Sequence, residues 1–261
     1  MAPSSPNRSD EEKGVIQIIF KCRETTIPRM DDNTFDHRTA ADWINTVENE
    51  SGRIRDTDIY PLLNAWVNGI APCDILDIGS GQGICSSKID LDARNYTGVD
   101  PSPFLVERAK ELYSHENRKF IQGNVYDLPC LANGFDAAFS IAVWHLLGNL
   151  QRATSELSRV LRPNGHFFIV TANPGAYSAW TGIYSDPISD GRRFEGTVHH
   201  PGKSVSQDVL YLHTLNEITD ALYSAHFRIE AVETFRTIEG SGGQGKFILI
   251  RGNKQPSSRP R

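Results

Sequence analysis

The chain is poor in several things that would each announce a function. Its four cysteines, Cys22, Cys73, Cys85 and Cys130, are scattered with no C-x-x-C spacing, which argues against a disulfide framework and against a cysteine-built zinc site. Basic residues are in deficit, with 27 Lys and Arg against 32 Asp and Glu and a formal net charge of −5. A sequence-independent grip on nucleic acid needs a basic face, so nucleic acid is not an expected partner. No apolar run approaches the ~20 residues of a membrane span, and Ser, Pro and charged residues follow Met1 where a secretory signal would carry its apolar core. A cytoplasmic protein is therefore expected. No internal repeat is visible, and no His, Cys or carboxylate spacing indicates a metal.

What is present is the composition of an ordinary globular enzyme. At 261 residues and 39% hydrophobic, the chain is long enough to bury one sizeable core with a small appendage. Residues 1–30 read as a disordered or extended N-terminal stretch, 31–252 as the main domain, and 253–261 as a polar tail. Ala40, Trp43, Ile44 and Val47 have helical spacing, as do Leu62, Leu63, Trp66, Val67 and Ile70. From residue 74 onward, short apolar runs alternate with amphipathic stretches. Strands are expected over 75–78, 96–99, 120–121, 135–143, 166–170, 228–235 and 246–251. Helices are expected after Ser102-Pro103, where serine can cap and proline suits the first turn, over the stripe Leu146, Leu150, Ala153, Leu157 and Val160, and from the capping box Thr214-x-x-Glu217. This alternation predicts a doubly wound α/β fold with a mostly parallel sheet covered on both faces. Residues 172–213 show no clear period and read as a loop-rich, aromatic-rich insertion.

The most telling stretch is Ile75-Leu76-Asp77-Ile78-Gly79-Ser80-Gly81-Gln82-Gly83. An apolar strand runs into an acid and then glycines at alternate positions, a spacing that lets the backbone turn tightly and approach a ligand closely. The next strand ends in Asp100, where a carboxylate can accept both hydroxyls of a ribose. A nicotinamide-binding fingerprint requires G-x-G-x-x-G, but its last position here is Ile84 and the third glycine comes early, at Gly83. That departure favours a nucleoside without a pyrophosphate at a helix N-terminus, namely S-adenosylmethionine.

On these residues, and on Gly98-Val99-Asp100-Pro101-Ser102, Gly123-Asn124-Val125-Tyr126-Asp127, Phe135-Asp136-Ala137-Ala138-Phe139-Ser140 and Glu156-Leu157-Ser158-Arg159-Val160-Leu161-Arg162-Pro163-Asn164-Gly165, the chain resembles the class I S-adenosylmethionine-dependent methyltransferases. The branch it is most similar to is the small-molecule one of the ubiquinone and menaquinone biosynthesis methyltransferases, over about 56–252. The resemblance implies a Rossmann-like seven-stranded sheet, and S-adenosylmethionine as cofactor with S-adenosylhomocysteine as product. It implies that Gly79, Ser80, Gly81 and Gly83 meet the methionine part and that Asp100 holds the ribose. Asn124, where the family usually has an acid, meets the adenine together with the backbone of Val125. Pro101, Ser102 and Ser140 fall in the same blocks, Ile141 directly follows one, and all four are expected at the cofactor. Asp77 is expected to organise the loop or to reach the cofactor's amino group through water.

The activity implied is methyl transfer to O, N or C of a small metabolite. Two other readings stand beside it: a catalytically silent cofactor-binding protein of the same fold, and a nicotinamide-dependent oxidoreductase. His145, directly after the fourth strand, is either a base near the sulfonium or a histidine that caps the next helix. Trp43, Tyr60, Trp144, Tyr177, Trp180, Tyr184, Tyr211 and His213 are candidates for the acceptor pocket and its lid, since aromatic faces exclude water and attract a cation. The alternative for each is plain packing. Arg192 and Arg193 are either a fork for an acidic acceptor or a solvated turn.

Overall fold

The computed structural model of the protein describes residues 40, 41, 44, 47, 55–71, 73–181, 184–189, 191–199, 205–235 and 245–256. The expected N-terminal stretch, Trp43 and the tail from 257 onward lie outside them. Ala40, Ile44 and Val47 are helical as their spacing predicts, with Ala40 and Val47 buried.

One wide turn of π-helix, Arg55–Ile59, leads into α1 (Tyr60–Asn68), which turns Tyr60, Leu63 and Val67 inward and ends at Gly69. The sheet then builds in order: β1 (Asp74–Ile78), β2 (Asn95–Asp100), α2 (Pro103–Tyr113), β3 (Arg118–Gln122) and β4 (Phe135–Ile141). They are followed by α3 (Leu150–Val160) and β5 (Leu161–Ala172). Ser102 caps α2 as expected, its hydroxyl accepting from the Leu105 N–H at 3.4 Å. The helix expected to start near Leu146 begins four residues later, at Leu150. Gly148 interrupts the stripe, and the Asn149 side chain takes the capping role by accepting from the Arg152 N–H at 2.9 Å. Arg162-Pro163-Asn164-Gly165 does stop that helix, but it loops out within β5, where the pairing jumps from Phe135–Leu161 to Ala137–His166. Asn164 there takes a positive φ of 64°.

After β5 come α4 (Tyr177–Thr181), β6 (Tyr184–Ser189), β7 (Arg193–His199), β8 (Val205–Tyr211), α5 (Leu215–Ser224), β9 (Phe227–Thr234) and β10 (Phe247–Lys254). The seven-stranded sheet has the order β3-β2-β1-β4-β5-β10-β9. All its pairings are parallel except those of β10, which runs against both its neighbours. Alternation along each strand sends residues to opposite faces. Leu76, Ile78, Ala138, Phe167 and Ile169 join α3 and α5 in one apolar layer, while Ile75, Ala137, Phe139 and Phe168 join α1 and α2 in the other. The doubly wound architecture is thus the one the sequence predicts.

The insertion departs from expectation. Where no period was legible, the structure has a three-stranded antiparallel sheet, β6-β7-β8. Its first hairpin turns at Gly191, whose φ of 91° only glycine takes cheaply.

Strand order reverses between β1 and β4, which both grow outward from the middle of the sheet. An open parallel sheet has its ligand crevice at such a point, beyond the carboxyl ends of the strands.

Candidate active site

A cleft opens at that switch point, about 790 Å³ counting its open mouth, between the ends of β1, β2 and β4 and the loop after β3. Backbone conformation shapes it first. Gly79 and Gly81 have φ of 77° and 54°, the left-handed region that costs a residue with a Cβ about 1 kcal/mol or more. At Gly79 a Cβ would also meet Val143 Cγ2 at 2.2 Å. The loop can therefore pass under Val143 only as glycine. The opposite wall contains a second departure, at Ala142, a buried non-glycine residue with φ of 61°. Its N–H donates to the Val170 carbonyl at 2.8 Å, which holds the kink that turns Val143 over the loop.

Asp100 closes β2 at the centre of the cleft. It is 6% exposed, and its two carboxylate oxygens are fixed separately. Oδ2 accepts from the Gly81 N–H at 2.9 Å and Oδ1 from the Ser102 N–H at 2.9 Å. Each oxygen keeps a second lone-pair site, so a carboxylate already anchored to the glycine loop can still accept from a ligand diol. Burial pushes its pKa up to about 6, and the two backbone bonds limit the rise. Past β3, the Asn124 side-chain oxygen accepts from the Tyr126 N–H at 2.9 Å, forming a small turn that presents Asn124, Val125 and Tyr126 to the cleft. Of its oxygen, one acceptor direction remains for an adenine amine.

Of the cofactor residues expected from sequence, Gly79, Gly81, Asp100, Pro101, Asn124, Val125 and Ile141 line this cleft. The structure places the others behind it, each for a physical reason. Asp77 points away from the cleft, 1% exposed, and accepts from the Tyr96 hydroxyl at 2.5 Å. Burial raises it to about 7 against the Tyr96 bond, with Asp100 adding to the rise and Arg55 opposing it. Gly83 is a packing position, because a Cβ there would meet Phe120 Cε1 at 2.7 Å and Ala109 Cβ at 2.9 Å. Ser102 is committed to capping α2, and the Ser140 hydroxyl donates to the Ile78 carbonyl at 2.8 Å, tying β4 to β1. Ser80 lies under the loop against Gly98.

His145 does not have the geometry of a base. It sits on a 3₁₀ turn (Trp144–Leu146), is 7% exposed, and accepts the Ala172 N–H on Nδ1 at 3.3 Å, with the Thr171 hydroxyl 3.2 Å from the same nitrogen. Burial, with Arg55 and His213 nearby, lowers its pKa to about 3. At neutral pH such a ring is uncharged and a poor proton acceptor, and it orders the ends of β4 and β5. Trp144, 1% exposed, belongs to the apolar core rather than to an acceptor pocket. Tyr60 is likewise buried among Ile59, Leu63 and Val67, with Arg55 and Cys85 as polar neighbours. Arg192 pairs with Glu217 of α5, and Arg193 with Glu195 at 2.6 Å, so both guanidiniums are engaged by carboxylates of this chain.

Tyr177, Tyr211 and His213 do come together. The Tyr177 hydroxyl donates to the His213 carbonyl at 2.7 Å, and the Tyr211 and His213 rings stack at 6.0 Å with 13° between planes. Trp180 lies on α4 and Tyr184 on β6. Sequence reasoning missed the apolar contributors to the cleft, Ile78, Val99, Leu105, Val143, Leu146 and Leu147, and also Tyr126. Tyr126, Ile78 and Val99 stand inside the motif blocks and were legible; the others look like any core residue. Among the described residues, no group of three His, Cys, Asp or Glu could hold a metal ion, and no helix is long and apolar enough to cross a membrane.

The residues fit an adenosyl ligand. The loop offers a Cβ-free approach and Asp100 offers spare acceptor capacity. A dinucleotide fits less well. After Gly83 the chain makes only a four-residue 3₁₀ turn (Ile84–Ser87) where the fingerprint has a helix to receive the pyrophosphate.

Comparison with known proteins agrees: residues 76–169 match the family described as a methyltransferase domain. Over residues 76–169 the chain is thus similar to methyltransferase domains. Its fold is shared with an S-adenosylmethionine-dependent methyltransferase from Clostridium acetobutylicum, with TM-score 0.61 and 12% identity over 83% of this chain and 98% of that one. A second, from Mesorhizobium loti, superposes with TM-score 0.57 and 18% identity over 74% and 96% of the two chains. Among curated relatives, a fatty-acid O-methyltransferase of Mycolicibacterium smegmatis is 30% identical over 102 residues, 38% of this chain and 37% of that protein. A phthiotriol/phenolphthiotriol dimycocerosates methyltransferase of Mycobacterium leprae is 28% identical over the same length, 38% of each chain. The match thus spans well under half of these relatives.

Proposed function

We propose that this methyltransferase domain binds S-adenosylmethionine in the cleft and transfers its methyl group to a small, lipid-like acceptor, with oxygen as the favoured acceptor atom. The observation that carries the reading is Asp100, a buried carboxylate fixed by the glycine loop on one oxygen and by its own helix cap on the other. Gly79 and Gly81 would pass along the methionine portion, Asp100 would accept from the ribose hydroxyls, and Asn124, Val125 and Tyr126 would border the adenine. When bound, the cofactor supplies a methyl already activated on a sulfonium. The protein's task is then orientation and exclusion of water, holding acceptor and methyl in line at about 3–3.5 Å.

The lipid-like acceptor is supported by the names of the relatives, which act on a fatty acid and on phthiotriol dimycocerosates, and by the apolar rim Val143, Leu146 and Leu147. The insertion after β5 serves as the lid over that rim. A fatty acid is already a carboxylate at neutral pH, so methylating its oxygen leaves no proton to remove and asks no base of His145. Cytoplasmic action is the setting that the composition favours.

Calorimetry with S-adenosylhomocysteine tests the first half of the reading, with micromolar binding expected and no binding decisive against it. Labelled methyl from S-adenosylmethionine, offered with fatty acids and with a lipid extract, tests the second. Label appearing only in polar metabolites would overturn the lipid assignment, and binding without transfer to any acceptor would favour the silent cofactor-binding protein.

A further inference from the structure

Between the 3₁₀ turn Trp144–Leu146 and α3 lies a bend, 147–149, that touches both the insertion and the cofactor cleft. From the insertion side, His213 Nε2 donates to the Leu147 carbonyl at 2.6 Å. Tyr211, stacked on that ring, lies so close that a Cβ on Gly148 would meet its Cζ at 2.9 Å. From the cleft side, the Asn149 N–H donates to the Tyr126 hydroxyl at 3.1 Å. Tyr126 is further held by Arg152, whose Nε donates to the Tyr126 carbonyl at 2.8 Å while its guanidinium lies 5.8 Å from the ring centroid. Leu147 and Tyr126 both line the cleft. Three consecutive residues therefore link the insertion, on one side, to the wall next to Asn124 on the other.

We propose that this bend couples the insertion to cofactor binding, with His213 as a positioning residue: the imidazole fixes Leu147, and the bend passes that constraint through Asn149 to Tyr126. The proposal rests on the cofactor reading given above. A histidine suits the post because a neutral ring still has one N–H to donate. Burial lowers its pKa while the Leu147 carbonyl partly opposes this, and a neutral ring keeps the Leu147 bond without adding charge to an apolar rim. Glycine at 148 is needed for space, since Tyr211 occupies the volume a side chain would take. The consequence is that an acceptor which settles the insertion would tighten the cofactor, and a bound cofactor would settle the insertion, by the same factor.

The test uses the full chain and two readouts. Amide exchange without any ligand should speed up at Asn149 in His213→Leu, remain near the parent in His213→Gln, whose amide can still donate to Leu147, and speed up in Gly148→Ala, which displaces Tyr211. S-adenosylhomocysteine titrations should show His213→Leu and Tyr126→Phe each weakening binding about fivefold, the scale of one lost hydrogen bond. The double variant should be little weaker than either, because both act through one bend. Unchanged Asn149 exchange in His213→Leu, equal loss in His213→Gln, or fully multiplicative losses would each overturn the coupling. A parent protein that binds no S-adenosylhomocysteine overturns the cofactor reading and this inference with it, whereas binding that His213→Leu leaves intact overturns the inference alone.

Discussion

The two sides of the cleft are made of different material. The side formed after β1, β2 and β3 is mainly backbone: left-handed glycines, a carboxylate clamped by two amides, an asparagine turn. The side formed by Val143, Leu146 and Leu147 is side-chain packing, and behind it His213 holds the Leu147 carbonyl while stacking on Tyr211. Backbone sites demand particular residue types, because only glycine takes φ near +80° beside a 2.2 Å obstacle and only a short acceptor fits an amide pair. Packed surfaces accept many apolar residues of similar size. The first side should tolerate almost no substitution, and the second should yield gradually.

Asp100→Ala strikes the first side hardest. It removes the carboxylate proposed to accept a ribose diol and strands the Gly81 and Ser102 amides, so S-adenosylhomocysteine affinity should fall by at least about a hundredfold, the scale of two hydrogen bonds to a charged group. Calorimetry measures it, and a loss below tenfold would mean that the ribose is held elsewhere. Gly79→Ala comes next. The new methyl must displace Val143 and adopt a left-handed φ, about 2–4 kcal/mol together, and binding should weaken by of order thirtyfold or more. A double variant with Val143→Ala should recover part of this, which no simple unfolding would do.

The same comparison extends to pH, because the buried acids sit on the backbone side. Folding raises Asp100 from 3.8 to about 6 and Asp77 from 3.8 to about 7. Raised carboxylates bind protons more tightly in the folded chain. Their contribution to stability is greatest below pH 3.8 and is lost as pH rises through 6 to 7, the reverse of an ion-paired acid. Ligand binding has the opposite sign, since ribose hydroxyls need the ionised form. Affinity for S-adenosylhomocysteine should therefore drop about tenfold between pH 8 and 5, and melting curves of Asp77→Asn should lose part of the parent's destabilisation near pH 7. A pH-independent affinity would show that Asp100 stays ionised across that range.

The same division explains what could be read from the chain beforehand. The order of the main-sheet strands, the glycine loop, the place of Asp100 at the end of β2, and the Ser102 and Thr214 caps were legible because each depends on a local rule of conformation or hydrogen bonding. The roles of Asp77 and Gly83 were not, since nothing local distinguishes an acid facing a ligand from one turned toward Tyr96, or a glycine at a ligand from one pressed on Phe120. The β6-β7-β8 sheet was hidden because neither Tyr184–Ser189 nor Val205–Tyr211 alternates apolar and polar residues along its length. Its one local signal is Gly191, the left-handed residue at the first hairpin.

On the packed side, His145 should prove modest. If it were the base, its replacement would cost about 10²–10⁴ in rate. As a ring whose Nδ1 accepts the Ala172 N–H, it is replaceable by Asn, which offers an oxygen near the same place. Transfer by His145→Asn should stay within about fivefold of the parent, with the melting temperature lowered by a few degrees, on the scale of a weakened hydrogen bond. A hundredfold loss of kcat at unchanged stability would restore the catalytic role.

Trp144→Phe should have the smallest effect. The indole is fully buried in the layer with α3 and α5, yet its Nε1 has no hydrogen-bond partner there. Phenylalanine removes that orphaned donor, which offsets part of the lost apolar contact, since a buried unsatisfied N–H costs about 1–3 kcal/mol. The net change in unfolding free energy should lie within about 1–2 kcal/mol, well below the 3–5 kcal/mol typical of a buried tryptophan cut to alanine. KM for any acceptor should not move. A selective rise in KM would put Trp144 back at the acceptor, on a wall where its burial leaves no room for one.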